Sequence, residues 1–373
     1  MALITYLTRV HFADGILEEA LRSELEHHGR KRPVVIADKG DFSSGFADRL
    51  FASFPIRTKA VQCEIPDSMS SREALSLIQK KYIGHRADAL IAFGKGRLIG
   101  LAQFARFPLA ELGSADSKSA DTKPGRCKTK LPNLFAVPGI DGLTAAPIVS
   151  ADHSALTNTR YSMSERLPTA IICDPTLTLG ADSKSSASAG VNAITRCIEA
   201  YLSNAYNPPA DGIALDGLQR SASNLHRVLN DDRLEVRREM MAASLNGALA
   251  QQKGIGASQA MGAALSSAAR AELDQGALLR LFLPGVLRLN AVPLKDKYQP
   301  IRRILGIKPR LSLADGVRVF FDRLPLPARL SEMGVTRKHI GRASSMVVEH
   351  GEPPASATLP DRADVAAIMH SVL

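Results

Sequence analysis

The sequence predicts an α/β domain followed by an all-α domain, and three observations carry that prediction. Up to Pro175, short apolar runs alternate with helically periodic stretches. Beyond Pro175 the apolar spacing is helical almost throughout. The chain has 373 residues, enough for two units that each bury a core. Strands separated by helices require crossover connections, which imply a parallel sheet. The predicted domains are residues 1–175 and 176–373.

The elements follow in order. Pro33 to Asp38 (PVVIAD) reads as a buried strand, with a helix through Phe46 to Phe54 behind it. KAVQCEI is a second strand, and SSREALSLIQKKYIG a helix capped by Ser70 or Ser71. ADALIAFGKG is a strand ending in a glycine turn; LPNLFAVPG and TAIICDP are two more. Gly113 to Lys130 is polar and reads as a loop. Helical periodicity then covers 185–203, 211–228, 232–250, 255–271 and 275–290, a basic stretch near 296–306, and 312–323 and 327–333. No internal repeat is present.

Composition excludes several classes. Apolar content of 45% and charged content of 23% describe an ordinary globular chain. No stretch approaches the roughly 20 apolar residues of a membrane span. The N-terminus lacks a basic region followed by an apolar one, and the four cysteines form no CxxC pair. Reduced thiols and a cytoplasmic location are therefore expected, without a disulfide frame or a zinc cluster. The net charge of +10 is scattered in short groups such as Arg30-Lys31-Arg32, with no nucleic-acid-binding motif beside them. Attraction of small anionic substrates accounts for it more simply.

Two positions fit the rule that open α/β sheets bind ligands beyond the carboxyl ends of their strands. Asp38 ends the first long strand, where a carboxylate accepts hydrogen bonds from an adenosine ribose. Gly94, Lys95, Gly96 and Arg97 end the third, where glycines let backbone N–H groups approach a pyrophosphate. Each has a plain reading as well: an aspartate after a strand is commonly a cap, and GxG a chance loop. In the helical half, Val191, Ile194, Cys197, Ile198, Tyr201 and Leu202 form an apolar stripe. Off it, Asn192 and Arg196 lie four apart on one face, a spacing suited to metal ligands but occupied by an amide and a guanidinium. As a plain helix-surface residue, Arg196 would pair with Glu199.

Taken together, TRVHFADGIL, VVIADKG, ADALIAFGKGRLIGLAQ, LPTAIICDPTLTLG, SAGVNAITRCIEAYLSNAYNPPADGIALDGL, LFLPGVLRLN and GEPPASATLPDRADVAAIM resemble the iron-containing alcohol dehydrogenase superfamily, most closely its maleylacetate reductase branch. The Asp-Pro-x-Leu-Thr run (Asp174, Pro175, Leu177, Thr178) is the most specific of these motifs. The resemblance implies a Rossmann-like dinucleotide-binding N-terminal domain and an all-α C-terminal domain, the dehydroquinate synthase-like, iron-type alcohol dehydrogenase architecture. It also implies hydride transfer to or from NAD(P) and a homodimer. The ribose-binding acid maps onto Asp38, the phosphate loop onto Gly94, Lys95, Gly96 and Arg97, and the turn after the next strand onto Pro138, Gly139 and Ile140.

Departures from the family fall on its chemistry. The metal-ligand positions map onto Asn192, Arg196, Gln259 and Gln275, and a further histidine position near the substrate onto Ala263. A divalent ion needs anionic or imidazole donors, so no catalytic metal is expected. Arg196 becomes the electrophile or carboxylate clamp, Asn192 and Gln259 hydrogen-bond donors, and Gln275 a substrate-orienting group. Lys95 and Arg97 would grip phosphate oxygens by side chain. Asp38 points to NAD(H) over NADP(H), because a carboxylate repels a 2′-phosphate; neighbouring Lys39 softens the preference. The expected activity is a metal-independent reduction of a small anionic carbonyl compound. The alternative is an inactive or repurposed relative acting as a binding or regulatory module.

Overall fold

The computed structural model describes residues 8–43, 45–115, 131–140, 167–349, 358 and 360–373. The predicted loop residues 116–130, with Cys127, lie outside them, as does His153, a histidine that maps onto no ligand position of the resemblance. The chain divides into two compact units, one within residues 8–178 and one within 179–373.

The first unit is built on a six-stranded parallel sheet in the order β1-β6-β5-β4-β2-β3. Its strands are β1 (Arg9–Phe12), β2 (Pro33–Ala37), β3 (Val61–Glu64), β4 (Ala89–Gly94), β5 (Asn133–Pro138) and β6 (Ala170–Cys173). The four inner strands are buried along their whole length, as a sheet covered on both faces demands. Helices α1 (Leu17–His27), α2 (Lys39–Phe42), α3 (Gly45–Ala52), α4 (Ser71–Gly84) and α5 (Gly96–Ala115) connect them. Leu17, Leu21 and Leu25 of α1 fill one layer of core against Val35, Ile91, Phe135 and Ile172. Ser70 starts α4 with a reciprocal capping box to Glu73, which selects Ser70 over Ser71.

Two sequence expectations are corrected here. The helix expected through Phe46 to Phe54 is shorter and preceded by the separate turn α2. Helix α5 runs on to Ala115, three residues into the predicted loop, and carries Pro108 inside it. Proline and a weak apolar face hide such a helix from periodicity.

The second unit is helical: α6 (Ser183–Leu202), α7 (Pro208–Asn224), α8 (Leu234–Ala250), α9 (Ala257–Ala269), α10 (Gln275–Leu289), α11 (Tyr298–Ile304), α12 (Leu313–Phe321), α13 (Arg337–Glu349) and α14 (Arg362–His370). Side-chain caps set the starts of α6 (Asp182), α7 (Asn207), α10 (Asp274) and α12 (Ser312). The apolar stripe of α6 packs into one core with Leu218, Leu225, Leu279 and Phe321. A second core gathers Met261, Leu265, Phe282, Ile340 and Val347. Its Ile340 and Val347 lie on α13, a helix absent from the expected set because apolar residues on it are sparse. Helix α6 is buried almost all round, not amphipathic toward solvent. Among the described residues no helix is long and apolar enough to cross a membrane.

Candidate functional site

Strand order locates the first site. The chain leaves β2 toward β3 on one side and returns to place β4 on the other, so the order reverses between β2 and β4. Crevices at such a reversal, beyond the carboxyl ends, are where doubly wound sheets bind ligands. Asp38 follows β2 and Gly94 ends β4. Gly139 follows β5 and donates its N–H to the Gly94 carbonyl at 2.9 Å. Asp38, Gly94 and Gly139 thus gather at one edge of the sheet; Gly96 starts α5 there.

Gly94 has φ of +94°, and any side chain there would collide with the Asp41 carboxylate. Only glycine satisfies both constraints. Asp38 caps α2: one oxygen accepts from the Asp41 N–H at 2.6 Å. Its other oxygen pairs with Lys95 Nζ at 2.9 Å, and Lys95 also reaches Asp67 at 2.6 Å. Burial works to raise the Asp38 carboxyl's pKa, but the Asp41 N–H and Lys95 outweigh it, leaving the group below its ordinary value. Burial works against the Lys95 ammonium in the same way, and its two carboxylates outweigh that, raising its pKa.

The expected phosphate grip of the two cations is therefore modified. Lys95 is paired to Asp38 and Asp67, and the Arg97 guanidinium donates to the carbonyls of Met69 and Pro66. Both tie the loop after β3 to the start of α5. Pro138 and Ile140 lie beside Gly139, Pro138 paired in register with Gly94.

The second site is a polar seam in the helical unit. Asn192 and Arg196 are both buried, at 4% and 3% exposure, so the surface reading of Arg196 fails. Desolvation lowers the Arg196 pKa to about 10, which leaves the guanidinium charged at neutral pH. At one end of the seam, Ser188 of α6 donates to the α10 cap Asp274 at 2.6 Å and accepts from Gly276 N–H at 3.2 Å. At the other, Glu199 accepts from Ser258 N–H at 2.7 Å and Gln259 Nε2 at 3.2 Å. Asn192 and Arg196 lie between these anchors on the α6 face that Ser188 begins. Gln251 donates to Gln259 Oε1, and Gln275 packs its side-chain oxygen against Gly262. Gln259 and Gln275 thus lie where α6, α9 and α10 meet, while Arg196 sets its Cβ close to Gly247 of α8.

Glu199 is the residue that sequence reasoning placed too modestly. Helix α9 has Gly256 at its N-cap, which offers no side-chain oxygen. Glu199 reaches across from α6 and supplies the cap, and a Cβ on Gly256 would collide with it. Burial raises the Glu199 pKa despite these donors. The signal was its i, i+3 spacing from Arg196 combined with a glycine opening α9, three helices on.

The Asp-Pro-x-Leu-Thr run is structural. Asp174 is fully buried and accepts from Gly15 N–H, Leu17 N–H, Thr176 N–H, the Thr176 hydroxyl and Arg49. It therefore joins the end of β6 to the turn between β1 and α1 and to α3. His226, an unmapped histidine, packs edge-on against Phe320. The open groove of about 1000 Å³ beside β3, lined by Phe51, Phe54, Gln62 and Lys81 among others, contains none of the candidate residues.

The donor set at the α6–α9–α10 seam does not fit a divalent metal. It offers amides and a buried guanidinium, and its two carboxylates, on Glu199 and Asp274, are committed to capping α9 and α10. Among the described residues no group of three or more histidine, cysteine, aspartate or glutamate side chains is arranged to hold a metal ion.

The fold is a six-stranded parallel sheet with one order reversal in the first unit and a helical second unit. Residues 8–175 match the iron-containing alcohol dehydrogenase family model and 186–373 its C-terminal counterpart. The 4-hydroxybutyrate dehydrogenase of Cupriavidus necator is 33% identical over 94% of both chains. The maleylacetate reductase of Burkholderia cepacia is 25% identical, covering 93% of this chain and 91% of that one. Solved structures of 1,3-propanediol oxidoreductase (TM-score 0.79, 21% identity, all of both chains) and of the maleylacetate reductase from Rhizobium sp. strain MTP-10005 (TM-score 0.74, 18% identity, 100% and 97% of the chains) share the fold. The chain belongs to the iron-containing alcohol dehydrogenase family and is an oxidoreductase.

Proposed function

We propose that this oxidoreductase moves a hydride between a nicotinamide dinucleotide and a small carboxylate-bearing carbonyl or alcohol compound, with no catalytic metal. The observation that carries the reading is Arg196: a group charged at neutral pH, buried on α6 where the family resemblance puts a metal ligand. In the reducing direction the hydride leaves the dihydronicotinamide ring, which is oxidised, for the carbonyl carbon; the oxygen gains negative charge, and a proton from solvent completes the alcohol. A buried cation stabilises that developing charge, or clamps a substrate carboxylate, far better than an exposed one. Asn192 adds amide donors on the same face. Gln259 is held at both ends of its amide by Gln251 and Glu199, and so fixes α9 against α6. Gln275, at the first turn of α10, is the substrate-orienting group.

The dinucleotide's adenosine end is assigned to Asp38, with Lys95 beside it, and its pyrophosphate to the turn of Gly94 and Gly96, with Arg97, Pro138, Gly139 and Ile140 alongside. The 33% identical relative is a dehydrogenase of 4-hydroxybutyrate, a small carboxylated alcohol, which supports an anionic substrate here. The scattered net charge of +10 favours the same class.

The test uses the purified enzyme, small oxo acids with NADH or NADPH, and their hydroxy-acid products in reverse. Arg196→Ala should lower kcat/KM by about 10²- to 10³-fold, the usual effect of removing one oxyanion-stabilising donor. Arg196→Lys keeps the charge and should recover part of the activity. Chelator should leave turnover unchanged. Stoichiometric bound iron or zinc, with activity lost on chelation and restored by the metal, would overturn the reading.

A further inference from the structure

Asp38 alone would make the site select NAD(H), because an exposed carboxylate at the ribose repels a 2′-phosphate. The structure does not leave it exposed or alone. Its Oδ1 accepts the Asp41 N–H at 2.6 Å and its Oδ2 is paired with Lys95 at 2.9 Å. Both oxygens that would receive the ribose hydroxyls are therefore already engaged, and an ammonium stands against the acid's charge. Lys95 is held in that position by a second carboxylate, Asp67, at 2.6 Å. The ammonium stays part-exposed, with 39% of the side chain open, so an incoming phosphate can reach it. Arg97 reinforces the arrangement by donating to the Met69 and Pro66 carbonyls, which keeps the Asp67 loop against the start of α5.

We infer that Lys95 sets the dinucleotide preference of this enzyme: by neutralising Asp38 and offering an ammonium beside it, it lets the site take NADPH about as well as NADH. The inference rests on the dinucleotide assignment proposed above. A 2′-phosphate needs no new cation here, only exchange of the exposed Asp67 carboxylate for a phosphate oxygen on Lys95, a substitution of one charge-assisted contact for another. For NADH the same ammonium bridges Asp38 and Asp67, and the ribose hydroxyls compete with it for the Asp38 oxygens. The two effects oppose the usual discrimination from both sides.

The test is direct binding, by nucleotide fluorescence, of NADH and NADPH to the full-length protein and to Lys95→Ala and Lys95→Arg. Folding is checked by thermal unfolding, and Lys95→Gln replaces the alanine variant if that fails to fold. The wild type should show Kd values for the two nucleotides within about tenfold of each other, a difference below roughly 1.4 kcal/mol. Loss of the ammonium should weaken NADPH at least tenfold relative to NADH, and Lys95→Arg should keep the wild-type ratio. If NADH binds but the wild type disfavours NADPH by more than tenfold, or if removing the ammonium leaves the ratio unchanged, the role of Lys95 is refuted while the dinucleotide assignment stands. Binding of neither nucleotide at millimolar concentration would refute both.

Discussion

Replacing Asp174 by alanine should destabilise the sheet unit without touching the proposed chemistry. The carboxylate has no exposed surface, and it accepts from Gly15 N–H at 2.8 Å, Leu17 N–H at 3.2 Å, Thr176 N–H at 3.0 Å, the Thr176 hydroxyl at 2.6 Å and Arg49 at 3.0 Å. Breaking a buried ion pair from one side costs about 3–5 kcal/mol. Arg49 keeps its second partner, Glu18, at 2.5 Å, so its charge is not stranded, and we expect the lower end, about 3 kcal/mol. For a unit of this size that is roughly 6–12 °C in melting temperature. Asp174→Asn keeps the shape and one acceptor but turns an N–H₂ toward existing donors, and should cost about 2 kcal/mol. The assay is thermal unfolding combined with hydrogen exchange. Amides around Gly15 and Leu17 should lose protection first, because they lose their acceptor. An alanine variant that melts within 1 °C of wild type, with those amides still protected, would refute the account of Asp174 as the joint between β6 and the first turn.

Two further outcomes follow from the geometry. Gly256→Ala should displace Glu199 from the start of α9 and lower both stability, by about 1–3 kcal/mol, and turnover; unchanged melting and kinetics would show that Glu199 does not cap that helix. Stability should also fall in acid through Asp174. Burial works to raise its pKa, but the Thr176 hydroxyl and the backbone donors outweigh it, so its folded pKa lies below the ordinary value of 3.8. Its contribution is therefore complete above that unfolded value and is lost as pH falls through the lower folded one. The stability gap between wild type and Asp174→Asn should narrow only below about pH 4, and a gap that narrows already at pH 6 contradicts the assignment.

The two sites differ in how much of each was legible. Asp38 and Gly94 could be read because strand ends and glycine turns leave local marks. What they touch could not: Lys95 meets Asp67 across 28 residues of chain, and only the β2–β3–β4 order brings the two together. The phosphate grip expected of Lys95 and Arg97 rests on a loop resemblance and on charge, and neither says which neighbour the fold will supply.

The sequence by itself determined the alternation that makes a parallel sheet, the helical character beyond Pro175, the capped start of α4, and the absence of metal-type donors at residues 192, 196, 259 and 275. These are properties of short windows or of residue chemistry, which need no partner to be visible. Only tertiary structure decided that Arg196 is buried, that Glu199 belongs to the start of α9, and that Asp174 ties the β1–α1 turn to β6. A polar residue off an apolar stripe looks the same whether it meets water or another helix. Burial and partnership are set by which elements meet in space, and helical periodicity carries no information about that.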